Sequence, residues 1–277
     1  MVELFKIVDR EILAECDGIR VIRLKINAPH IALKARPGQF VVVMITEEGE
    51  RIPLTIVDKN KETVSLIFQE VGFTTRLLGK SNLGESLYAL VGPLGNPTHI
   101  NNYGKVILVG GGVGIAEIYP VAKALKEAGN HITTILGVRT KNLLILEKEL
   151  KALSDEFYIT TDDGSYGKKG FTTDILTELL LKQKYDWVYA VGPVVMMQKV
   201  SLVTKRFNLK TVVSLNALMV DATGMCGCCR VTVGGKMQFS CVDGPEFDAH
   251  SVDWDELIKR NRIYEDKEKH ICNKSKI

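Results

Sequence analysis

The chain has 277 residues, of which 45% are hydrophobic and 25% charged, proportions that exclude a disordered chain and a disulfide-stapled miniprotein. The length suits two domains with a small appendage. With 36 basic against 33 acidic side chains the net charge is +3, too small to argue for a nucleic-acid or membrane partner.

The first residues, Met1 to Lys6, lack the basic-then-apolar order of a secretory signal. No run approaches the ~18 uncharged apolar residues of a spanning helix, so a cytoplasmic protein is expected. Residues 1–100 read as strands. Short β-rich runs at 39–45 and 63–68 recur between the turn signals Arg36-Pro37-Gly38, Glu48-Gly49 and Lys59-Asn60-Lys61, and no long amphipathic helix interrupts them. A small antiparallel barrel is the expectation, ended by the Gly- and Pro-rich 92–97. From 101 to 215 apolar strands (106–110, 131–139, 157–163, 187–192, 211–215) alternate with helical periodicity at 143–153, 173–182 and 196–206, and Ile115, Tyr119, Ala122 and Leu125 share one helical face. That rhythm predicts a doubly wound parallel sheet. Residues 216–277 keep neither rhythm. They hold a Gly- and Cys-rich segment and a charged tail with Trp254, Leu257, Ile258 and Asn261 at helical spacing, read as a solvated helix. So small a piece has little core of its own, and a bound metal would supply stability.

The strand at 106–110 runs into Gly110, Gly111, Gly112, Val113 and Gly114 and then a helix. Glycines there let backbone N–H groups approach a pyrophosphate, whose charge the helix N-terminus favours. The loop departs from G-x-G-x-x-G, with Glu117 in the place of the third glycine, and a tight turn without a ligand accounts for it too. Asp162 and Asp163 in one later loop, and Gly192, Pro193 and Met196 in another, fall at the same carboxyl edge, where open α/β sheets bind ligands. Arg139 ends a strand at that edge, either to meet a ribose or phosphate or as a plain solvated strand end.

The glycine loop, Asp162-Asp163-Gly164-Ser165-x-Gly167, Gly192-Pro193-x-x-Met196-Met197 and the preceding barrel, in this order, resemble the ferredoxin–NADP reductase superfamily. The resemblance implies an FAD-binding barrel beside an NAD(H)-binding domain. Hydride would pass between nicotinamide and flavin N5 with no catalytic acid or base, and electrons would leave the flavin singly. Ile52, Pro53, Leu54 and Thr55 match the flavin motif, which implies Thr55 near N5 and Leu54 against the ring. Ile52 stands where the family carries arginine, and Arg51, one residue earlier, would point to the opposite face of a strand. Phe68, Gln69, Glu70, Thr74 and Thr75 match segments that touch the ribityl chain and pyrophosphate, with Thr74 in place of a usual glycine.

Of six cysteines, Cys226, Cys228, Cys229 and Cys241 cluster, while Cys16 and Cys272 stand apart as ordinary thiols. In a reducing compartment such a cluster indicates a metal or redox centre. Spacing alone admits an iron–sulfur cluster or a zinc site of Cys226, Cys229, Cys241 and His250. The segment resembles the [2Fe–2S] module of a narrower branch, which holds the electron-transfer subunits of dihydroorotate dehydrogenase and the small subunits of NADH-dependent reduced ferredoxin:NADP oxidoreductases. That resemblance implies Asp221, Cys226, Cys229 and Cys241 as ligands, with Cys228 the substitute should Asp221 not serve. The aspartate resembles the bifurcating oxidoreductases. These imply a larger, glutamate-synthase-small-subunit-like partner with a second FAD and [4Fe–4S] clusters, exchanging electrons with NADP and ferredoxin. A dihydroorotate dehydrogenase subunit of pyrimidine biosynthesis, a sulfide dehydrogenase subunit and a zinc-stabilised nucleotide-binding module are the alternatives.

Overall fold

In the computed structural model, which describes residues 5–264, β1 (Phe5–Cys16), β2 (Ile19–Asn27), β3 (Phe40–Met44), β4 (Ile52–Lys59), β5 (Thr63–Gln69), β6 (Ser86–Leu87) and β7 (Ala89–Leu94) form one antiparallel sheet. The strand order is β6-β1-β2-β5-β4-β3-β7. Its edge strands are consecutive in the chain, β6 ending at Leu87 and β7 starting at Ala89, so the sheet curls back on itself as a barrel. The two-residue period divides its faces. Ile22, Leu24 and Ile26 of β2 and Val64, Leu66 and Phe68 of β5 fill the interior, with Ile31 of α1 (Pro29–Lys34) and Leu78 of α2 (Phe73–Gly79). Val21, Val57 and Ile67 point the other way.

The second sheet contains β8 (Lys105–Gly111), β9 (His131–Val138), β10 (Glu156–Thr161), β11 (Lys168–Lys169), β12 (Trp187–Val191) and β13 (Thr211–Ser214), all parallel. Between them run α3 (Ile115–Glu127), α4 (Glu147–Leu153), α5 (Thr172–Lys182) and α6 (Val194–Arg206). In the order β11-β10-β9-β8-β12-β13, winding reverses between β8 and β12, which opens a crevice at their carboxyl ends. The helix expected at 143–153 is shorter than its periodicity suggested. Lys141–Leu143 is a 3-10 turn, Leu146 is left-handed at φ 53°, and α4 starts only at Glu147. The break sends Leu143 and Ile145 to the wall of a cavity instead of onto a helical face.

Beyond β13 the chain makes a hairpin of β14 (Arg230–Val233) and β15 (Lys236–Phe239), then β16 (Glu246–Asp248) and α7 (Trp254–Asn261). β16 pairs antiparallel with β13 and so adds an edge strand to the nucleotide sheet. Asp253 caps α7 by accepting a hydrogen bond from the Glu256 amide. This helix is not merely solvated, because Trp254 and Leu257 are buried in a core shared with α6. Each such side chain contributes about 1.5–3 kcal/mol relative to exposure.

Two hydrophobic clusters fuse the three parts. One joins Val21, Val57 and Ile67 of the barrel to Leu108, Ile115 and Leu136. The other joins Phe40 and Val42 of the barrel to Val109, Met197, Cys241, Phe247 and Trp254. Asn96 adds a polar latch, donating to the carbonyls of Val242 (3.1 Å) and Asp243 (3.0 Å). Among the described residues no helix is long and apolar enough to cross a membrane.

Candidate functional site

The first cavity, of about 360 Å³, lies over the crevice and is lined by Gly111, Gly112, Val113, Arg139, Asp162, Pro193 and Met196. Its shape depends on glycine. A Cβ at Gly114 would lie 2.8 Å from the Val191 carbonyl carbon and oxygen, so the turn after β8 packs backbone to backbone against the end of β12. Gly112, at φ 55°, turns left-handed with open space above it. Gly110 and Gly114 are buried, and Gly192 packs on Gly111 and Met196 instead of lining the cavity. Asp163 also stays outside. Its carboxylate accepts from the Ser165 amide (2.9 Å) and hydroxyl (2.6 Å), the Ser165 hydroxyl bond first holding it below the usual carboxylate range. Sequence reasoning missed Lys199, Thr172 and Thr173 on the same wall, which carry no motif.

A second cavity, of about 630 Å³, is enclosed by all three parts of the fold. Phe40, Arg51, Ile52, Pro53 and Thr55 come from the barrel, Glu117 from the first turn of α3, and Ser214 to Val220 from the chain leading to the cysteine loop. Its volume suits a planar cofactor, and its walls combine apolar faces with a few convergent polar groups, as ligand sites do. Thr55 and Pro53 point into it. Leu54, half-buried and packed on the barrel core, is not among the residues that line it. Glu117 is half-buried on the cavity wall beside Thr55, and its Oε2 accepts from Ser214 Oγ at 3.3 Å. Desolvation pushes its carboxyl up to about 7, against the Thr55 and Ser214 hydroxyls, which favour the carboxylate. The sequence had marked Glu117 only as a departure from the glycine pattern.

The barrel residues matched to a phosphate-bearing segment have structural roles here. Phe68 is 2% exposed in the barrel core. Glu70 is buried and takes a two-pronged ion pair from Arg20, Nε to Oε2 at 2.6 Å and Nη2 to Oε1 at 2.7 Å. Thr75 Oγ1 accepts from the amides of Val71 and Gly72 at the start of α2, both at 3.0 Å. Thr74 donates to Glu50. Gln69 reaches the first cavity, and Glu70 lines a smaller one of about 320 Å³ with Arg20, Arg76 and Lys80.

The cysteine loop brings Cys229 and Cys241 together, both buried, with Sγ atoms 3.1 Å apart. Desolvation, then the neighbouring Cys229 thiol, pushes Cys241 up to about 12. Cys226 is exposed, and the Cys228 amide, followed by the Asp221 amide, holds its thiol below its ordinary value. Backbone N–H groups aimed at sulfur on a loop with Gly224 and Gly227 at positive φ, and a buried pair of soft donors, fit a thiolate-bound cluster. Asp221 accepts from Arg51 and Thr223, and the Thr223 hydroxyl first, then its amide and the Arg51 charge, hold its carboxyl below the usual range. Among the described residues no three His, Cys, Asp or Glu side chains are gathered at metal-binding distance. His250 is not with the cysteines: its Nε2 lies 2.9 Å from Thr204 Oγ1 on α6. Cys16 is half-buried near Asp17, and Cys272 lies outside the described residues.

Comparison with known proteins agrees with this division. Residues 108–201 match the oxidoreductase NAD-binding domain, and residues 216–253 match the iron–sulfur cluster binding domain of dihydroorotate dehydrogenase B. A dihydroorotate dehydrogenase B (NAD(+)) electron transfer subunit homolog of Thermotoga maritima is 53% identical over 88% of this chain and 87% of its own length. The corresponding electron transfer subunit of a Geobacillus species is 36% identical over 78% of this chain and 86% of its own. A solved structure reported for flavin-based electron bifurcation by the NADH-dependent reduced ferredoxin-NADP oxidoreductase is 49% identical. It covers 99% of this chain and 98% of that one, with a TM-score of 0.92. A ferredoxin-NADP+ reductase from Plasmodium falciparum, 18% identical over 72% of this chain and 88% of its own with a TM-score of 0.57, shares the fold. The chain is thus an oxidoreductase component with an NAD-binding domain, a cluster-binding domain and a flavin-binding barrel.

Proposed function

The chain belongs to the family of dihydroorotate dehydrogenase B electron transfer subunits, and from that premise we propose that it is the small subunit of a bifurcating NADH-dependent reduced ferredoxin:NADP oxidoreductase. It passes electrons between NAD(H) in the crevice, FAD in the barrel cavity and a [2Fe–2S] cluster on the cysteine loop. The observation that carries this reading is the second cavity, walled by the barrel, by α3 and by the segment 214–220 that leads directly to Asp221. A flavin there would supply the exchange between a two-electron hydride and single electrons. Thr55 and Ser214 offer hydroxyls to such a ring, Pro53, Phe40 and Leu215 exclude water, and the glycine turns of the crevice position the nucleotide. Asp221, Cys226, Cys229 and Cys241 would hold the cluster, with Arg139 on the nucleotide.

The whole-chain likeness at 49% identity supports the bifurcating assignment, and with it a larger flavin and [4Fe–4S] partner. The family's descriptions favour a second reading, in which the partner is a dihydroorotate dehydrogenase. Anaerobic purification with the native partner decides between them. Reduction of ferredoxin and NAD by NADPH is expected, whereas NAD reduction by dihydroorotate alone would replace the first reading with the second. Protein containing zinc, no iron and no FAD would overturn both.

A further inference from the structure

We propose that Arg51 is a positioning residue for the cluster: its guanidinium, anchored on the barrel, orients the Asp221 carboxylate for iron and raises the cluster's potential by placing a fixed positive charge at that ligand. This rests on the reading that Asp221, Cys226, Cys229 and Cys241 hold a [2Fe–2S] cluster beside an FAD cavity.

The placement of Arg51 suits that role. It precedes β4 and belongs to the wall of the second cavity, where it is the one cation among the lining residues, with Glu50 and Glu117 as the acids. Its Nε donates to Met44 Sδ at 3.4 Å, at the end of β3, which fixes the side chain to the barrel. Its Nη1 donates to Asp221 Oδ1 at 3.1 Å, across 170 residues of chain. The other Asp221 oxygen accepts from the Thr223 hydroxyl and, at 3.3 Å, from the Thr223 amide. Those two contacts are local to the loop and neutral, whereas the Arg51 contact comes from another part of the fold and carries charge. Two further arginines reach the cysteine loop, but both bind carbonyls: Arg230 donates to Gly227 at 3.1 Å and Arg260 to Cys228 at 2.9 Å.

Charge at a ligand acts on the metal. An electron gained by the cluster makes its site more negative, and a cation touching a ligand stabilises that state more than the oxidised one, which raises the potential. Carboxylates that bind metals are themselves held by outer-shell donors, and removal of such a donor costs about 10–100-fold in metal affinity. The pair is partly exposed, Arg51 at 49% and Asp221 at 22%, so dissolved salt should weaken the effect. A clasp that only joined the barrel to the loop would need the hydrogen bond and not the charge.

The test uses the full chain loaded with FAD and cluster, and reads the cluster's midpoint potential by visible and electron paramagnetic resonance titration. Arg51→Gln keeps a donor and removes the charge. It should lower the potential, and a chelator should strip its iron faster, by about tenfold or more. Arg51→Lys restores the charge without the planar fork and should recover most of the potential. In the unaltered protein the potential should fall toward that of R51Q as salt is raised. An R51Q protein with a full cluster at an unchanged potential overturns the proposal, and so does an R51K protein shifted as far as R51Q. Should R51Q not hold the cluster, a potential independent of salt in the unaltered protein overturns it equally. Iron lost from Cys228→Ser but retained with an unchanged spectrum by Asp221→Asn overturns the ligand reading itself. A chain that binds neither FAD nor iron overturns the functional reading as a whole.

Discussion

Arg51, one residue ahead of β4, donates from Nη1 to Asp221 Oδ1 at 3.1 Å and so ties the flavin barrel to the cysteine loop. The other Asp221 oxygen accepts from the Thr223 hydroxyl and amide. Strand alternation had put Arg51 on the face away from the cavity. It lies outside the strand, where the two-residue rule does not act, and its side chain reaches the cavity wall.

The Arg51 charge is one of the causes that depress Asp221, so Arg51→Ala should raise the carboxyl's titration toward the ordinary carboxylate range. Carbon-13 NMR of iron-free protein reads this directly. The sign follows from linkage: a depressed acid stabilises the native state above its unfolded value and loses that contribution as pH falls. The variant should therefore be slightly less stable than the unaltered protein near neutral pH, by an amount that solvent screening keeps small, and the difference should vanish on acidification.

Cys226→Ser, Cys229→Ser and Cys241→Ser should each lower iron content by more than about tenfold, since even outer-shell changes cost metal sites 10–100-fold in affinity. Cys228→Ser should retain iron and the two-iron absorption. Iron and sulfide analysis with visible spectroscopy checks the series, and loss of iron from the Cys228 variant would move the fourth ligand from Asp221 to Cys228.

Two glycines of one loop should respond differently to alanine. At Gly114 the added Cβ meets backbone, the Val191 carbonyl at 2.8 Å, which cannot yield. Gly114→Ala should cost about 1–3 kcal/mol in denaturant unfolding and weaken NADH binding. At Gly111 the nearest atom is Met196 Sδ at 2.4 Å, on a flexible side chain that can swing away. Gly111→Ala should lose less stability while still crowding the crevice.

Glu117 predicts a stability that depends on pH in the flavin-free protein. Its native value is raised to about 7, so below the unfolded value of 4.5 the carboxyl is protonated in both states and contributes nothing. Between 4.5 and about 7 the native state binds the extra proton and stability falls as pH rises, reaching its full loss above 7. Glu117→Gln should flatten that decline and stabilise the protein above pH 7 by on the order of 3 kcal/mol. Urea unfolding at pH 4.5 and pH 8 checks it.

Much of the fold was legible because burial enforces periodicity. The strands at 106–110, 131–139 and 187–192 and the helices at 173–182 and 196–206 lie within a residue or two of the observed elements. The helix at 143–153 was overread because an apolar run looks helical until a cavity draws Leu143 and Ile145 outward. The crevice glycines and Asp162 were legible because close backbone approach demands glycine in a fixed local pattern. Leu54, Phe68 and Glu70 were not, since whether a barrel side chain faces core or ligand depends on strand pairing between distant segments.

The sequence by itself determined a strand-rich first part, a wound α/β second part, a glycine loop at a strand end and a cysteine set with cluster spacing, all features written within short stretches. Only the tertiary structure decided that β16 returns to the nucleotide sheet, that Arg51 meets Asp221, and that Thr55, Glu117 and Ser214 surround one cavity. Those relationships join residues tens to hundreds of positions apart. No local pattern encodes them, because they arise where separately folded surfaces bury their remaining apolar area against one another.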